Sequence, residues 1–229
     1  MKFIGKNILI VVAHPDDEVL GCGGLISKYH DKSHFKILVI AEGTSVRYKD
    51  RKSDHIENDI QSRNNGTLTL NKYGISDIVF SNLPCSNLIN QDPKVIHDII
   101  TSESKDFNPH FIFTHSKFDN HQDHRLVYEA VLVAFRPINE LAENTILSFE
   151  SLSSTEWNFD ENFSPNCFLK LSDLNLSDKI TMLQQFPGEI REFPFPRSDE
   201  GLTTLAKFRG MQSGLGLAEA YKIIRHSVM

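Results

Sequence analysis

The sequence Ile8-Leu9-Ile10-Val11-Val12-Ala13 runs directly into His14-Pro15-Asp16-Asp17-Glu18. A short apolar run that is rich in β-branched residues predicts a strand buried on both faces. The polar residues that follow at once predict a turn at the end of that strand. Other runs of the same kind also predict strands: Phe35 to Ala41 and Phe111 to Thr114, and more weakly Asp77 to Phe80, Ile146 to Glu150 and Asn166 to Lys170.

Segments with a helical pattern lie between the first strands. These segments are Glu18 to Asp31, about Arg51 to Lys72, Pro93 to Phe107, and His124 to Phe135. Strands that alternate with helices favour a parallel sheet covered by helices on both faces. We therefore expect an α/β fold of Rossmann-like type, with a mostly parallel sheet.

The pattern changes after about residue 140, where the sequence becomes rich in loop-forming residues. Leu174 to Gln185 and Leu217 to Arg225 are predicted to be helices within this part. We expect one domain over residues 1–229, with a core at about 1–140. The portion at about 141–229 would then form one wall of a substrate cleft together with those helices.

The overall composition excludes several classes of function. The 229 residues carry a net charge of −6, so no general positive field attracts nucleic acid or an anionic membrane. No apolar stretch approaches the ~20 residues that span a bilayer, and none resembles a signal peptide. The three cysteines are far apart and odd in number, which favours reduced thiols and a cytoplasmic location.

Three polar loops follow predicted parallel strands and should meet at one edge of the sheet. They are His14 to Asp17, Ala41 to Thr44, and His115 to His124. A hydrolytic zinc site needs about three ligands from histidine and carboxylate, an open position for water, and a nearby base. The first and third loops together supply these groups.

Each of these two loops also has an ordinary structural interpretation. Asp16 and Asp17 could cap a helix that begins near Glu18, and His121 and His124 could be the polar start of another helix. Spacing alone does not decide which of the two aspartates would bind a metal. The occurrence of both loops after strands of one predicted sheet favours the metal site.

The sequence resembles the LmbE/PIG-L-like family of zinc-dependent N-acetylglucosaminyl deacetylases. Ala13 to Glu18 matches the family's A-H-P-D-D-E residue for residue, and His121-Gln122-Asp123-His124 matches its H-x-D-H. Gln122 stands where many members have proline. Ala218-Glu219-Ala220-Tyr221 resembles the A-E-A-F that ends the family's late segment, while residues 50–82 resemble the family least.

The resemblance implies a metal held by His14, Asp17 and His124. The metal would be Zn²⁺, with Fe²⁺ as the alternative. Carboxylates near the histidines, such as Asp119, would orient the imidazole rings.

The resemblance also assigns the catalytic roles. Asp16 would be the general base, and His121 would stabilise and then protonate the tetrahedral intermediate. Asp123 would orient a neighbouring histidine or tune its pKa. Asp16 or His121 would deliver the proton to the leaving amine.

The implied function is removal of an acetyl group from the nitrogen of an amino sugar, which is free or linked to a nucleotide or lipid. Arg47, Glu150 and Arg197 are candidates for substrate contacts, and Trp157 could offer an apolar face to a sugar ring or belong to the core. One alternative is an amidase that cleaves other amides, such as thiol conjugates. Another is a metal- or sugar-binding relative without turnover. A homo-oligomer is compatible with each of these functions.

Overall fold

The described residues fold around one seven-stranded sheet. The computed structural model describes residues 2–44, 54–137 and 144–227. The strands are β1 (Asn7–Val12), β2 (His34–Ala41), β3 (Asp77–Leu83), β4 (Phe111–Thr114), β5 (Thr145–Phe149), β6 (Cys167–Lys170) and β7 (Ala218–His226). The α-helices are α1 (Asp17–Tyr29), α2 (Asp54–Leu68), α3 (Pro93–Lys105), α4 (Gln122–Ala134), α5 (Asp173–Leu183) and α6 (Asp199–Ser213).

The strand order is β3-β2-β1-β4-β5-β7-β6. The five strands from β3 to β5 are parallel, and β7 runs antiparallel to both of its neighbours. The predicted Rossmann-like, mostly parallel α/β fold is thus confirmed. The chain leaves β1 towards β2 on one side and reaches β4 on the other. Ligands of such folds bind beyond the strand ends at this reversal of order.

Helices cover both faces of the sheet, and β1 shows why. Its side chains alternate between two hydrophobic cores, because successive residues of a strand point to opposite faces. Ile8, Ile10 and Val12 pack in the core that includes residues of α1 and α5. Leu9 and Val11 pack in the core that includes residues of α3 and α4. Burial on both faces explains the continuous apolar run.

A buried ion pair fastens α1 to the late part of the chain. Glu219 on β7 accepts hydrogen bonds from the backbone N–H groups of Gly24 and Leu25, at 2.7 and 2.8 Å. Lys179 on α5 donates to the Leu20 carbonyl and to Glu219, both at 2.7 Å. Lys179 and Glu219 are each only 6% exposed. The helix that starts at the candidate site is therefore bound to β7 and α5 by charged groups.

The predicted helix from Leu217 to Arg225 is wrong. This segment is strand β7, which lies between β5 and β6 and bonds to both. Its helical pattern was overridden by pairing with strands distant in sequence. The structure also contains α6, which was not predicted; the Ser198 hydroxyl accepts from the Gly201 N–H at its start, at 2.9 Å.

The other element boundaries differ only slightly from those expected. The long helix predicted to end at Lys72 is α2 followed by a short 3-10 helix, Thr69–Tyr73, which stops at Gly74 in a left-handed conformation. Its predicted start at Arg51 lies outside the described residues. Of the helices that the structure describes, none is long and apolar enough to cross a membrane.

Candidate metal centre and active site

The turn after β1 brings three polar side chains to the edge of the sheet. Asp16 has a φ of 111°, a left-handed conformation that is costly for a residue with a Cβ. It occupies the N-cap position of α1, yet its side chain makes no capping hydrogen bond. The His14 N–H donates to Asp17 Oδ2 at 2.9 Å. Helix capping therefore does not account for the side chain of Asp16.

The loop after β4 supplies the facing residues. His121 is the N-cap of α4, and its Nδ1 accepts from the Asp123 N–H at 3.2 Å. An acceptor nitrogen must keep its lone pair, so the other ring nitrogen, Nε2, carries the proton of the neutral ring. His124 lies one turn along in α4 and is buried.

The two loops meet, as their place in the sheet predicts. Asp17 Oδ2 lies 3.4 Å from His14 Nδ1 and 3.3 Å from His124 Nε2. The ring of His121 is centred 4.8 Å from those of both His14 and His124. The second carboxylate oxygen of Asp17, Oδ1, is buried and has no hydrogen-bond partner among the described residues.

Three overlapping sets of side chains can each bring one ligand atom apiece to within 4.8 Å of one another. All of these side chains are buried except that of His121, which is partly exposed. The sets are His14 with His121 and His124; Asp17 with His115 and His124; and His14 with Cys85 and Asp123.

Two carboxylates stand behind the histidines. Asp123 Oδ2 lies 3.1 Å from His14 Nε2, and Asp119 Oδ1 lies 3.1 Å from His124 Nδ1. Asp119 also accepts hydrogen bonds from the hydroxyls of Ser154 and Thr155. Such partners orient an imidazole and make it a better metal ligand.

Burial and charge together shift the pKa values of these groups. Burial alone would lower the pKa of His124, but the carboxylates of Asp17 and Asp119 outweigh it and raise that pKa to about 9. Burial lowers the pKa of His121 to about 4, and nearby His14 and His124 add to the effect. A neutral His121 agrees with the hydrogen bond that its Nδ1 accepts.

Asp16 sits between two arginines from distant parts of the chain. Its Oδ2 lies 2.8 Å from Arg197 Nη1 and 3.2 Å from Arg63 Nη2. Arg63 also donates to the Pro15 carbonyl at 2.6 Å, and both arginines pair with Glu189. Burial raises the pKa of Asp16 to about 6, against the opposing effect of Arg197 and Arg63.

Sequence reasoning missed Arg63, Glu189 and Cys85 as neighbours of the site. Arg63 lies on α2 within residues 50–82, where the resemblance is weakest. Cys85 Sγ lies 3.4 Å from His14 Nε2 and follows β3, the strand beside β2. Its position after a parallel strand was an available signal. Nothing in the local pattern marked Glu189.

The three candidates for substrate contacts have different outcomes. Arg197 lies at the site, where it binds Asp16. Both carboxylate oxygens of Glu150 are held by Arg209, at 2.7 and 2.5 Å, so this side chain is already bound within the protein. Arg47 falls outside the described residues. Trp157 is 43% exposed and does not belong to the core.

Comparisons with known proteins agree with the fold and indicate a family. A model of the PIG-L family, described as GlcNAc-PI de-N-acetylase, matches residues 9–135. The chain is 27% identical over 182 residues to the uncharacterized deacetylase YaiS of Escherichia coli (strain K12), covering 79% of this chain and 90% of that protein.

Solved structures share the fold at low sequence identity. N,N′-diacetylchitobiose deacetylase from Pyrococcus horikoshii is 20% identical, with a TM-score of 0.69 over 96% of this chain and 84% of that one. GalB, the 4-carboxy-2-hydroxymuconate hydratase from Pseudomonas putida KT2440, is also 20% identical, with a TM-score of 0.73 over 98% of both chains. A hydratase and a deacetylase thus have this fold, so the reaction must be argued from the side chains of the site.

Proposed function

This chain belongs to the PIG-L family, and on that basis we propose that it is a metal-dependent hydrolase that removes an N-acetyl group from an amino sugar or sugar conjugate. The observation that carries the proposal is the meeting of two loops at the reversal of strand order. One loop brings His14, Asp16 and Asp17, and the other brings His121 and His124.

The donor atoms at this edge are of the kinds that zinc binds in proteins. We propose that His14, Asp17 and His124 hold it, since imidazole and carboxylate are ligands that zinc takes in catalytic sites. The buried Oδ1 of Asp17, which has no hydrogen-bond partner among the described residues, supports this assignment, because such an atom is costly unless something binds it. Zinc bound here would supply a Lewis acid and would make a bound water more acidic. Fe²⁺ is the alternative ion for the same ligands.

Asp16 is the proposed general base. Its left-handed backbone and its contacts with Arg63 and Arg197 fix the direction of the carboxylate. A pKa of about 6 leaves it mainly ionised at neutral pH, yet close enough to that pH to accept and return a proton. Asp16 would take the proton of the attacking water and give it to the leaving amine.

His121 has a different proposed role from the proton donor that the resemblance implies. Its Nδ1 is occupied by the Asp123 N–H, so the neutral ring has one N–H, on Nε2, to donate. That donor can stabilise the oxyanion formed when water adds to the amide carbonyl. Burial lowers the pKa of His121, which favours the neutral ring as this donor. We propose Asp16 as the group that carries the proton from water to the leaving amine.

Asp123 and Asp119 act through the histidines. We propose that Asp123 holds the ring of His14 and that Asp119 holds the ring of His124, so that each presents its other nitrogen to the metal. Mutation of either carboxylate should weaken metal binding rather than act directly on proton transfer.

An N-acetylated sugar is the proposed substrate class. The family model is described by a de-N-acetylase of a GlcNAc conjugate, and one relative of the same fold is named for diacetylchitobiose. With a net charge of −6, the chain has no general attraction to an anionic surface, which favours a small sugar substrate, free or nucleotide-linked, over a lipid-linked one. Three cysteines without disulfides support the proposed cytoplasmic location.

The test is release of free amine from N-acetylglucosamine, N,N′-diacetylchitobiose and a nucleotide-linked N-acetyl sugar. The purified protein is assayed as prepared, after chelation, and after zinc or iron is restored. We expect amine release that chelation abolishes and one of these metals restores. Release from thiol-conjugate amides alone would replace the sugar proposal by an amidase. Tight zinc binding with no release from any amide would contradict catalysis.

A further inference from the structure

His115 directly follows β4, is fully buried, and has no part in the reaction proposed above. Its ring nitrogen Nε2 accepts a hydrogen bond from the Ala13 N–H at 2.9 Å. Ala13 comes immediately before His14 in the turn after β1. One atom of the His115 ring is therefore bound to the backbone next to a proposed metal ligand.

This hydrogen bond joins β1 and β4 beyond the point at which their backbones pair. The last residue pair of the two strands is Ile10 with Phe113. Further along, the side chain of His115, rather than a backbone carbonyl, accepts the Ala13 N–H. The distance between the two chain segments at this end of the sheet thus depends on a side chain.

The ring of His115 also lies against two of the proposed ligands. It stacks on the ring of His124, with ring centres 3.9 Å apart and planes 17° apart. Its Nε2 lies 3.6 Å from Asp17 Oδ2. Phe149 packs against the same ring edge to face, at 5.0 Å between centres. These contacts leave the His115 ring little freedom to turn.

Histidine is an unfavourable residue at this position if packing is its only role. Because Nε2 accepts a hydrogen bond, the neutral ring carries its proton on Nδ1. Burial lowers the pKa of His115 well below its ordinary value, which keeps the ring neutral. Nδ1 is buried and has no hydrogen-bond partner among the described residues. Such a donor is destabilising, so an apolar side chain would serve packing better.

A direct role as a metal ligand is the alternative for His115. One of its ring nitrogens lies within 4.8 Å of donor atoms of Asp17 and His124. The nitrogen close to Asp17, Nε2, already uses its lone pair to accept the Ala13 N–H. The same lone pair cannot also bind a metal, so the hydrogen bond favours a role behind the ligands.

We propose that His115 is a positioning residue that fixes the distance between the metal ligands of the turn after β1 and His124. Its Nε2 holds the turn through Ala13, and its ring face holds the imidazole of His124. This inference rests on the proposed metal ligands. Without the hydrogen bond, the ligands remain present but are no longer held at the right distance from one another, so the metal binds more weakly.

The test compares two amide side chains at position 115. In His115→Gln the amide oxygen can reach the place of Nε2 and accept the Ala13 N–H, whereas in His115→Asn the side chain is one methylene too short. His110→Ala is the matched control, because His110 Nδ1 accepts the Asn7 N–H at 3.2 Å, a similar contact at the opposite end of β1. His124→Ala is the reference for the loss of a ligand.

Zinc affinity is measured by competition with a chelator, and the stability of the metal-free protein by urea denaturation. We expect His115→Asn to bind zinc about tenfold more weakly than the wild type, as is usual when a group behind metal ligands is lost. His115→Gln should recover most of that affinity. His110→Ala should keep the wild-type zinc affinity even where it lowers stability, which separates positioning from a general loss of structure.

Two results would overturn the role of His115. Equal zinc affinities in His115→Gln and His115→Asn would show that the hydrogen bond does not matter. A loss in His115→Gln as large as in His124→Ala would make His115 a ligand. If His115→Asn does not fold, His115→Gln decides: near-wild-type affinity supports the proposal, and a tenfold loss contradicts it.

The same measurements keep this inference apart from the proposed reaction. The expected order of zinc affinities without amine release from any sugar supports the role of His115 and contradicts the deacetylase. Metal-dependent amine release with unchanged zinc affinity in both variants at position 115 contradicts the positioning role alone. A wild-type protein that binds neither zinc nor iron contradicts both.

Discussion

Asp16 and Arg197 stand 181 positions apart in the chain, and in the fold Nη1 of the arginine lies 2.8 Å from Oδ2 of the aspartate. Arg63 reaches the same oxygen from α2. Glu189 pairs with both arginines, so two negative carboxylates and two positive guanidinium groups lie together. The proposed base is therefore held by two arginines from separate parts of the sequence, and Glu189 ties those two arginines together.

Asp16→Asn should remove most of the activity and leave metal binding intact. The amide keeps the size of the side chain but cannot accept the proton of water, and loss of such a step costs roughly 10²–10⁴-fold in rate. The measurements are kcat on an N-acetyl sugar and metal content by elemental analysis. Near-normal turnover in a metal-loaded Asp16→Asn protein would rule out Asp16 as the base.

The rate should rise with pH while Asp16 loses its proton. Burial raises the pKa of this carboxyl to about 6, and a base works only in its ionised form. A bound divalent cation adds positive charge nearby and lowers that pKa, so the midpoint should fall at or below about pH 6. The kcat/KM profile of the metal-loaded enzyme checks this. An activity that falls as pH rises from 5 to 7 would contradict it.

Removal of a positive charge and removal of a negative charge beside Asp16 should move the midpoint of the kcat/KM profile in opposite directions. Arg197→Ala removes a positive charge that lowers the pKa of Asp16, so the midpoint should shift to higher pH. Glu189→Gln removes a negative charge that raises it, so the midpoint should shift to lower pH. Arg197→Lys keeps the charge and serves as the control. Shifts of the same sign in Arg197→Ala and Glu189→Gln would show that structural damage, rather than charge, causes them.

Asp119→Asn should weaken metal binding by about 10–100-fold, the usual effect of removing a carboxylate behind a ligand histidine. Asp119 lies 3.1 Å from His124 Nδ1 and is buried. Metal affinity is measured by competition with a chelator of known strength. Asp160→Asn, at an exposed aspartate, is the control and should retain wild-type affinity. Equal affinities in the two variants would exclude the proposed role of Asp119.

Glu219→Ala should destabilise the fold by about 3–5 kcal/mol, because it leaves the buried Lys179 without its partner. It also removes the acceptor of two backbone N–H groups in α1. Glu103→Ala, at a partly exposed pair with Lys36, should cost about 1 kcal/mol or less. Urea denaturation compares the two free energies of unfolding. Equal losses of unfolding free energy would mean that the buried pair stabilises the fold no more than the partly exposed pair does.

The parts of the fold and site that follow from local pattern were predictable. The apolar run before His14 marked a central strand, and the polar residues after β1 and β4 marked the edge where the site lies. His14, Asp17 and His124 meet there because parallel strands end at one edge. The segment from Leu217 to Arg225 was misjudged because its strand pairing is set by β5 and β6 and leaves no local signal.

The charged neighbours of Asp16 could not be predicted from local sequence either, because they reach it through contacts between distant segments. Arg63 and Glu189 reach the site only through the packing of α2 and of the late loops around it. Each is an ordinary charged residue in its own stretch of sequence. Arg197 was expected to contact the substrate. Its contact with Asp16 depends on the loop that residues 189–197 form, and no periodic pattern in the sequence predicts that loop.

The placement of β7 between β5 and β6 has a consequence for how the protein is made. Among the described strands, edge strand β6 pairs with β7 alone, yet it is synthesised first, and residues 171–217 separate the two. On the ribosome, the first five strands can assemble as they emerge, while β6 must wait without a neighbour. The sheet closes only when the strand that carries Glu219 arrives. Any nascent or shortened chain that stops before Ala218 therefore exposes the unpaired edge of β5 and the unpaired strand β6 to chaperones and proteases.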